Sequence, residues 1–187
     1  GSTEALELTQ VPESIAIVGA GVIGLEFATM FREAGSKVTV LEAAPSILPG
    51  EDQDIAAGLL KILKRQGIAF KLSAAVKEIV SSGNGLTLAY HDGVKDASLT
   101  VQTVLMATGR KPRSTLALPF RLSDGALVVD SHMETSIKGI YAAGDVIGGK
   151  LLAHLAYVEG RVAAENALRH KSVVNYDAVP ACVYTSP

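Results

Sequence analysis

The sequence predicts an α/β fold built on a parallel sheet, from three observations: an apolar run ending in three spaced glycines, a helix-period segment after them, and a second apolar run ending in an acid. Ser14 to Val18 has the unbroken apolar character of a strand buried on both faces. Gly19, Gly21 and Gly24 follow, with Ala20, Val22 and Ile23 between them. From Val22 to Ala34 apolar residues recur at helical spacing, and Gly35 is the stop. Lys37 to Leu41 is the second strand, and it ends in Glu42.

In such a strand-turn-helix unit the first glycine permits the tight turn and the second lets backbone approach a pyrophosphate. The third lets the helix pack on the strand. Unpaired N–H groups and the positive dipole end at the helix start then favour the anion. Gly19, Ala20, Gly21, Val22, Ile23 and Gly24 are therefore candidate cofactor-binding residues. Glu42 falls about twenty residues beyond them, where Rossmann-like folds hold the adenosine ribose. A carboxylate accepts from both ribose hydroxyls and repels a 2′-phosphate. Ala43, Ala44 and Pro45 supply no cation to receive one, so the pattern reads as NAD rather than NADP.

Asp52 to Gln66 has helical periodicity stopped by Gly67, and Ile68 to Leu72 reads as a third parallel strand. Between Val76 and Val101 the pattern changes to short alternating strands punctuated by Gly83, Gly85 and Asp92-Gly93, an antiparallel β-meander in place of the usual crossover. Val104 to Ala107 is again a buried strand, and it runs into Thr108-Gly109-Arg110-Lys111-Pro112, at the sheet end where open α/β folds bind ligands. After Pro112 the composition shifts. Strands are expected at Leu127 to Val129 and Gly139 to Ala143, the second ending in Gly144-Asp145, with a helix from about Leu151 to Leu168. Lys171 to Pro187 reads as a linker or the first strand of a further domain.

The 187 residues are 48% hydrophobic with net charge −2, which points to neither nucleic acid nor membrane as partner. No apolar stretch approaches a membrane span and the N-terminus lacks a secretory pattern, so a cytoplasmic protein is expected. Cys182 is the single cysteine and reads as a small buried hydrophobe rather than a nucleophile. Four scattered histidines give no metal-ligand spacing, so no metal site is expected.

Four segments in order carry a resemblance: the glycine unit with Glu26, the Ala107-Thr108-Gly109-Arg110 turn, Gly139-Ile140-Tyr141-Ala142-Ala143-Gly144-Asp145, and Leu152-Ala153-His154. The chain resembles the flavin-dependent pyridine nucleotide-disulfide oxidoreductases, most closely the dihydrolipoamide dehydrogenase branch. Glu42 and the Leu-Ala-His segment before Glu159-Gly160 favour that branch over glutathione and mercuric reductases, which typically use NADPH.

The resemblance implies a Rossmann-like NAD-binding domain over residues 11–111. Residues 1–10 would connect to it from an FAD domain, 112–170 would be the C-terminal, incomplete part of that FAD domain, and 171–187 a linker and the start of an interface domain. It further implies an oxidoreductase that passes electrons from dihydrolipoamide through a redox disulfide and FAD to NAD. The family enzyme is a homodimer serving a 2-oxo acid dehydrogenase complex, cytoplasmic or in the mitochondrial matrix. By carry-over, Gly19 to Gly24 cradle the pyrophosphate, Glu42 holds the ribose, Val76 meets the adenine, Gly109 flanks the nucleotide and Glu26 lies towards the nicotinamide. Asp145 would meet the flavin's ribityl chain, and the backbone of Leu151, Leu152, Ala153 and His154 its ring. The redox cysteine pair and the His-Glu base of the family have no counterpart in these 187 residues, so no catalytic residue is assigned and the stretch alone is expected to be inactive, with weak or absent FAD binding. The alternatives are a free-standing nucleotide-binding module and a piece of a related flavin disulfide reductase, such as glutathione or mercuric reductase.

Overall fold

Strand β1 (Ser14–Val18) is the centre of the first structural unit, and burial on both faces explains the apolar run that follows Ser14: Ile15, Ala16 and Ile17 have no solvent exposure. The computed structural model describes residues 1–83, 85–115 and 117–186. They fall into two compact units, one of Gly1–Gly109 with the residues from Val183 on, the other of Arg110–Cys182.

In the first unit a short helix α1 (Ser2–Leu6) precedes β1. Helix α2 (Val22–Glu33), strand β2 (Lys37–Leu41), helix α3 (Gln53–Arg65) and strand β3 (Ala69–Lys71) follow. The meander is β4 (Ala75–Ser82), β5 (Gly85–His91) and β6 (Asp96–Val101), and β7 (Thr103–Met106) closes the unit. The parallel sheet has the order β3-β2-β1-β7. Alternation sorts its side chains. Ile15, Ile17, Val38 and Val40 pack with Leu25, Phe31 and Leu63 of the helices, whereas Ala16, Val18 and Leu41 pack with Leu88, Tyr90 and Val101 of the meander. The meander thus covers the sheet face that a crossover helix would otherwise cover. Val183 joins the helix-side core, the Gln66 side-chain amide donates to the Ser186 carbonyl, and the Tyr184 N–H donates to Glu26 Oε1 at 2.9 Å.

The turn between β5 and β6 is held by one carboxylate, since Asp92 Oδ1 accepts from the N–H groups of Lys95 at 2.9 Å and Val94 at 3.0 Å. Those bonds, Lys95 first, hold its carboxyl below the ordinary range. A depressed folded-state value means stabilisation present above the unfolded value of about 3.9 and lost as pH falls through the folded value. Amide exchange protection at Val94 and Lys95 is therefore expected to be intact at neutral pH and to fall in that acid window. Asp92→Ala should lack it at every pH. Protection in the variant equal to that of the parent chain would remove the carboxylate from the account.

The second unit contains the short hairpin β8 (Leu122–Ser123) and β9 (Ala126–Leu127), a 3-10 turn at Gly144–Ile147, helix α4 (Ala153–Ala167) and a further 3-10 turn at Tyr176–Ala178. Leu155, Glu159 and Val162 form the buried face of α4. Cys182, expected to be buried, is exposed, and the strand expected at Gly139 to Ala143 does not form. That run makes an isolated bridge, Glu134 to Tyr141, because its neighbours offer single partners instead of a ladder, and glycines with φ of +80° and +77° bound it. Among the described residues no helix is long and apolar enough to cross a membrane.

Candidate functional site

A cleft of about 740 Å³ opens at the C-terminal ends of β1, β2 and β7, and Gly19, Gly21, Glu42, Val76, Met106 and Gly109 are among the residues lining it. The three glycines divide into two kinds. Gly19 has φ +108°, and a Cβ there would stand 2.4 Å from the Ala107 carbonyl oxygen, so it is required where β1 turns beside the end of β7. A Cβ on Gly24 would stand 2.0 Å from the Gly19 carbonyl oxygen, so only glycine lets α2 seat on the turn. Gly21 has nothing within 4 Å of its added Cβ and a φ of −74° that any residue adopts. The fold needs Gly19 and Gly24; it has no use for glycine at 21.

Gly21 is also the N-cap of α2, and no side chain caps that helix. Its first-turn N–H donors are left for an acceptor, with the positive dipole end behind them. Facing them, Glu42 Oε2 accepts from the Ala20 N–H at 2.7 Å and Oε1 from the Ala44 N–H at 2.8 Å. Each ionised oxygen has about two acceptor sites, so one per oxygen remains for another donor. Glu42 also anchors the sheet end through its backbone, donating to the Lys71 carbonyl at 2.9 Å and accepting from the Ala74 N–H at 2.8 Å.

Leu48 is a contributor that sequence reasoning missed. Its N–H donates to the Ala20 carbonyl at 2.9 Å, so both polar groups of residue 20 are fixed, and it does so at a φ of +49°. Buried Ile47 and Leu48 pin this loop into the helix-side core. The sequence signal was faint: two apolar residues before Pro49-Gly50.

Of the other expected site residues in this unit, Ala20 and Gly24 are buried behind the cleft lining, and Val22 and Ile23 are half-buried at the start of α2. Val76 lies in the lining beside a β-bulge between Val76 and Glu78, which turns the backbone of β4 there. Gly109 lines the mouth with φ +102°. Glu26 is on α2, outside the cleft lining, with one carboxylate oxygen taken by Tyr184.

In the second unit Asp145 is exposed and its Oδ2 lies 3.2 Å from Arg110 Nη2, in an ion pair that solvent largely screens. Leu151 has φ +50°, and Leu152 is the N-cap of α4, again without a side-chain cap. Ala153 and His154 open the helix exposed, with His154 Nε2 at 2.9 Å from the Pro180 carbonyl. The segment before Asp145 is held from below. Buried Glu159 accepts from the Gly144 N–H at 2.8 Å and from the Tyr176 hydroxyl at 3.1 Å. Burial first, and then the Glu159 charge, raise the Tyr176 phenol above its ordinary value. Glu159→Ala is expected to cost about 1–2 kcal/mol and to release Gly144 for exchange, while Glu159→Gln keeps an acceptor there. Equal protection of Gly144 in the alanine variant would refute this anchoring.

The geometry can be set beside known proteins. The profile of the pyridine nucleotide-disulphide oxidoreductase family matches residues 1–160. The dihydrolipoyl dehydrogenase of Bacillus subtilis is 38% identical over 190 residues, covering 100% of this chain and 41% of that protein. Among solved structures, the Cu(II) complex of a mutant of the HOCl-induced flavoprotein disulfide reductase RclA from Escherichia coli superposes with a TM-score of 0.89 at 35% identity. It covers 99% of this chain and 43% of that one. LpdA from Mycobacterium tuberculosis gives 0.87 at 31% identity, covering 96% of this chain and 40% of that one. The chain thus spans about two fifths of the length of the curated relatives it matches.

Proposed function

Starting from a chain that belongs to the pyridine nucleotide-disulphide oxidoreductase family, we propose that its first unit is the NAD(H) site of a flavoprotein of the dihydrolipoyl dehydrogenase type. The observation that carries the reading is Glu42: a carboxylate at the end of β2, fixed by two backbone N–H donors, with one acceptor site per oxygen left towards a cleft beside uncapped α2.

The amides of α2's first turn bind the pyrophosphate, and Gly21 gives the clearance for it to approach. Glu42 accepts the hydroxyls of the adenosine ribose and disfavours a 2′-phosphate at the same place. Val76 and Gly109 border the nucleotide. Glu26, directed to Tyr184, holds the chain rather than the ligand in this arrangement.

FAD, when bound, supplies the flavin that exchanges a hydride with the nicotinamide. The donor and acceptor set here suits it: an exposed carboxylate at Asp145 for ribityl hydroxyls, and uncapped amides from Leu152 to His154 for a carbonyl edge. These residues orient the group and contribute no proton transfer. The complete reaction, oxidation of dihydrolipoamide through a redox disulfide with NAD as acceptor in a homodimer serving a 2-oxo acid dehydrogenase complex, is proposed from the same relatives.

Calorimetric titration of the 187-residue chain with NADH and with NADPH tests the reading. NADH is expected to bind at least about tenfold more tightly, a difference of about 1.4 kcal/mol. NADPH binding as tightly as NADH would overturn the ribose argument and move the chain towards the NADPH-linked reductases.

A further inference from the structure

One cross-strand row of the parallel sheet borders the cleft. Val18 on β1 is in register with Leu41 on β2 and with Met106 on β7, and all three line the cleft. Val18 and Leu41 are covered by the meander, at 8% and 0% exposure, whereas Met106 is 44% exposed at the open end of the row. Its neighbour Leu105 points to the opposite, helix-side core and is buried. Among the described residues that line the cleft, Met106 is the one that carries sulfur, and a dinucleotide bound as proposed would cover it.

We propose that Met106 is an oxidant-sensitive site that lowers dinucleotide affinity when modified and is shielded when the cleft is filled; this rests on the NAD(H) reading above. With a peroxide as oxidant, the sulfur gives two electrons to the O–O bond and takes one oxygen atom, the other leaves as water, and the thioether becomes a sulfoxide. The change puts a strong polar group into an apolar row, where a ligand's apolar surface leaves it without a hydrogen-bond donor. The other two methionines are internal controls. Met30 is 40% exposed on the far side of α2 and lines no part of the cleft, and Met133 is 2% exposed in the second unit.

The chain would be treated with hydrogen peroxide with and without saturating NAD+, quenched with dithiothreitol to reverse reversible oxidation at Cys182, mapped by peptide mass spectrometry and titrated with NAD+. Met106 and Met30 should both gain one oxygen and Met133 should not. NAD+ should slow the modification of Met106 severalfold and leave Met30 unchanged. Oxidised chain should bind NAD+ roughly three- to tenfold more weakly, and methionine sulfoxide reductases should restore it. Met30→Leu should keep this sensitivity, while Met106→Leu, from whatever affinity it starts, should lose it. Oxidation of Met106 without a change in affinity, or NAD+ binding without protection, overturns the proposal alone. Failure of the untreated chain to bind NAD+ overturns it together with the NAD(H) reading.

Discussion

Gly24→Ala is expected to destabilise the first unit by more than about 3 kcal/mol, although alanine is intrinsically the better helix former by about 1 kcal/mol. The added carbon would sit 2.0 Å from the Gly19 carbonyl oxygen, a backbone atom that cannot rotate away, with Ala107 Cβ at 3.5 Å behind it. Relieving that overlap moves α2 off the turn and disturbs Leu25, Ala28 and Phe31, which are packed on β1 and β2. Gly21→Ala, three residues earlier, should have the opposite profile. Its Cβ enters open space at an ordinary φ, so stability should change by less than about 1 kcal/mol. On the proposed NAD(H) reading, NADH affinity should nevertheless fall by about tenfold or more, because there the pyrophosphate would approach through that space. Thermal unfolding and calorimetry on the two variants separate the roles. If Gly21→Ala bound NADH as the parent does, the cleft mouth beside α2 would not be the phosphate site.

On the proposed NAD(H) reading, Glu42→Ala should lower NADH affinity by about a hundredfold, or about 2.7 kcal/mol, because the charge-assisted contacts to the ribose would be lost. NADPH affinity should stay level or rise slightly, since a repulsive charge is removed, so discrimination between the two should largely collapse. Stability should fall as well, by about 1–3 kcal/mol, because the Ala20 and Ala44 N–H groups both lose their acceptor. The binding loss is the larger effect and can be separated by titrating below the variant's melting temperature. A change in NADH affinity of less than threefold would remove Glu42 from the ribose site.

Much of the first unit was legible because its signals are local. β1 and β2 were readable to the residue, since strands buried on both faces are predominantly apolar and the glycines on either side of α2 punctuate them. The β-meander was equally readable, from alternation broken by Gly83, Gly85 and Asp92-Gly93. The run from Gly139 to Ala143 misled for a physical reason: a strand is defined by its partner, and a short apolar run looks the same whether or not a neighbouring ladder exists. Leu48 was missed because its contribution lies in a backbone N–H and an unusual φ, neither of which depends on a recognisable side chain. Glu26 could be placed on α2, but nothing local revealed that the chain returns 158 residues later to occupy its carboxylate.

By itself the sequence determined the parallel sheet, the glycine turn and the presence of an acid at the end of β2, because spacing and residue type suffice to specify each. Only the tertiary structure decided what each does. Strand pairing brings Ala107 against Gly19, and helix seating brings the Gly19 carbonyl against Gly24, which makes two glycines requirements of packing and leaves open space beside Gly21. The β1–β2 register puts Glu42 against Ala20, and the β1–β7 register exposes Met106 beside Val18. These are distances between residues far apart in the chain, set by hydrogen-bonded ladders and close packing, and no local pattern encodes them.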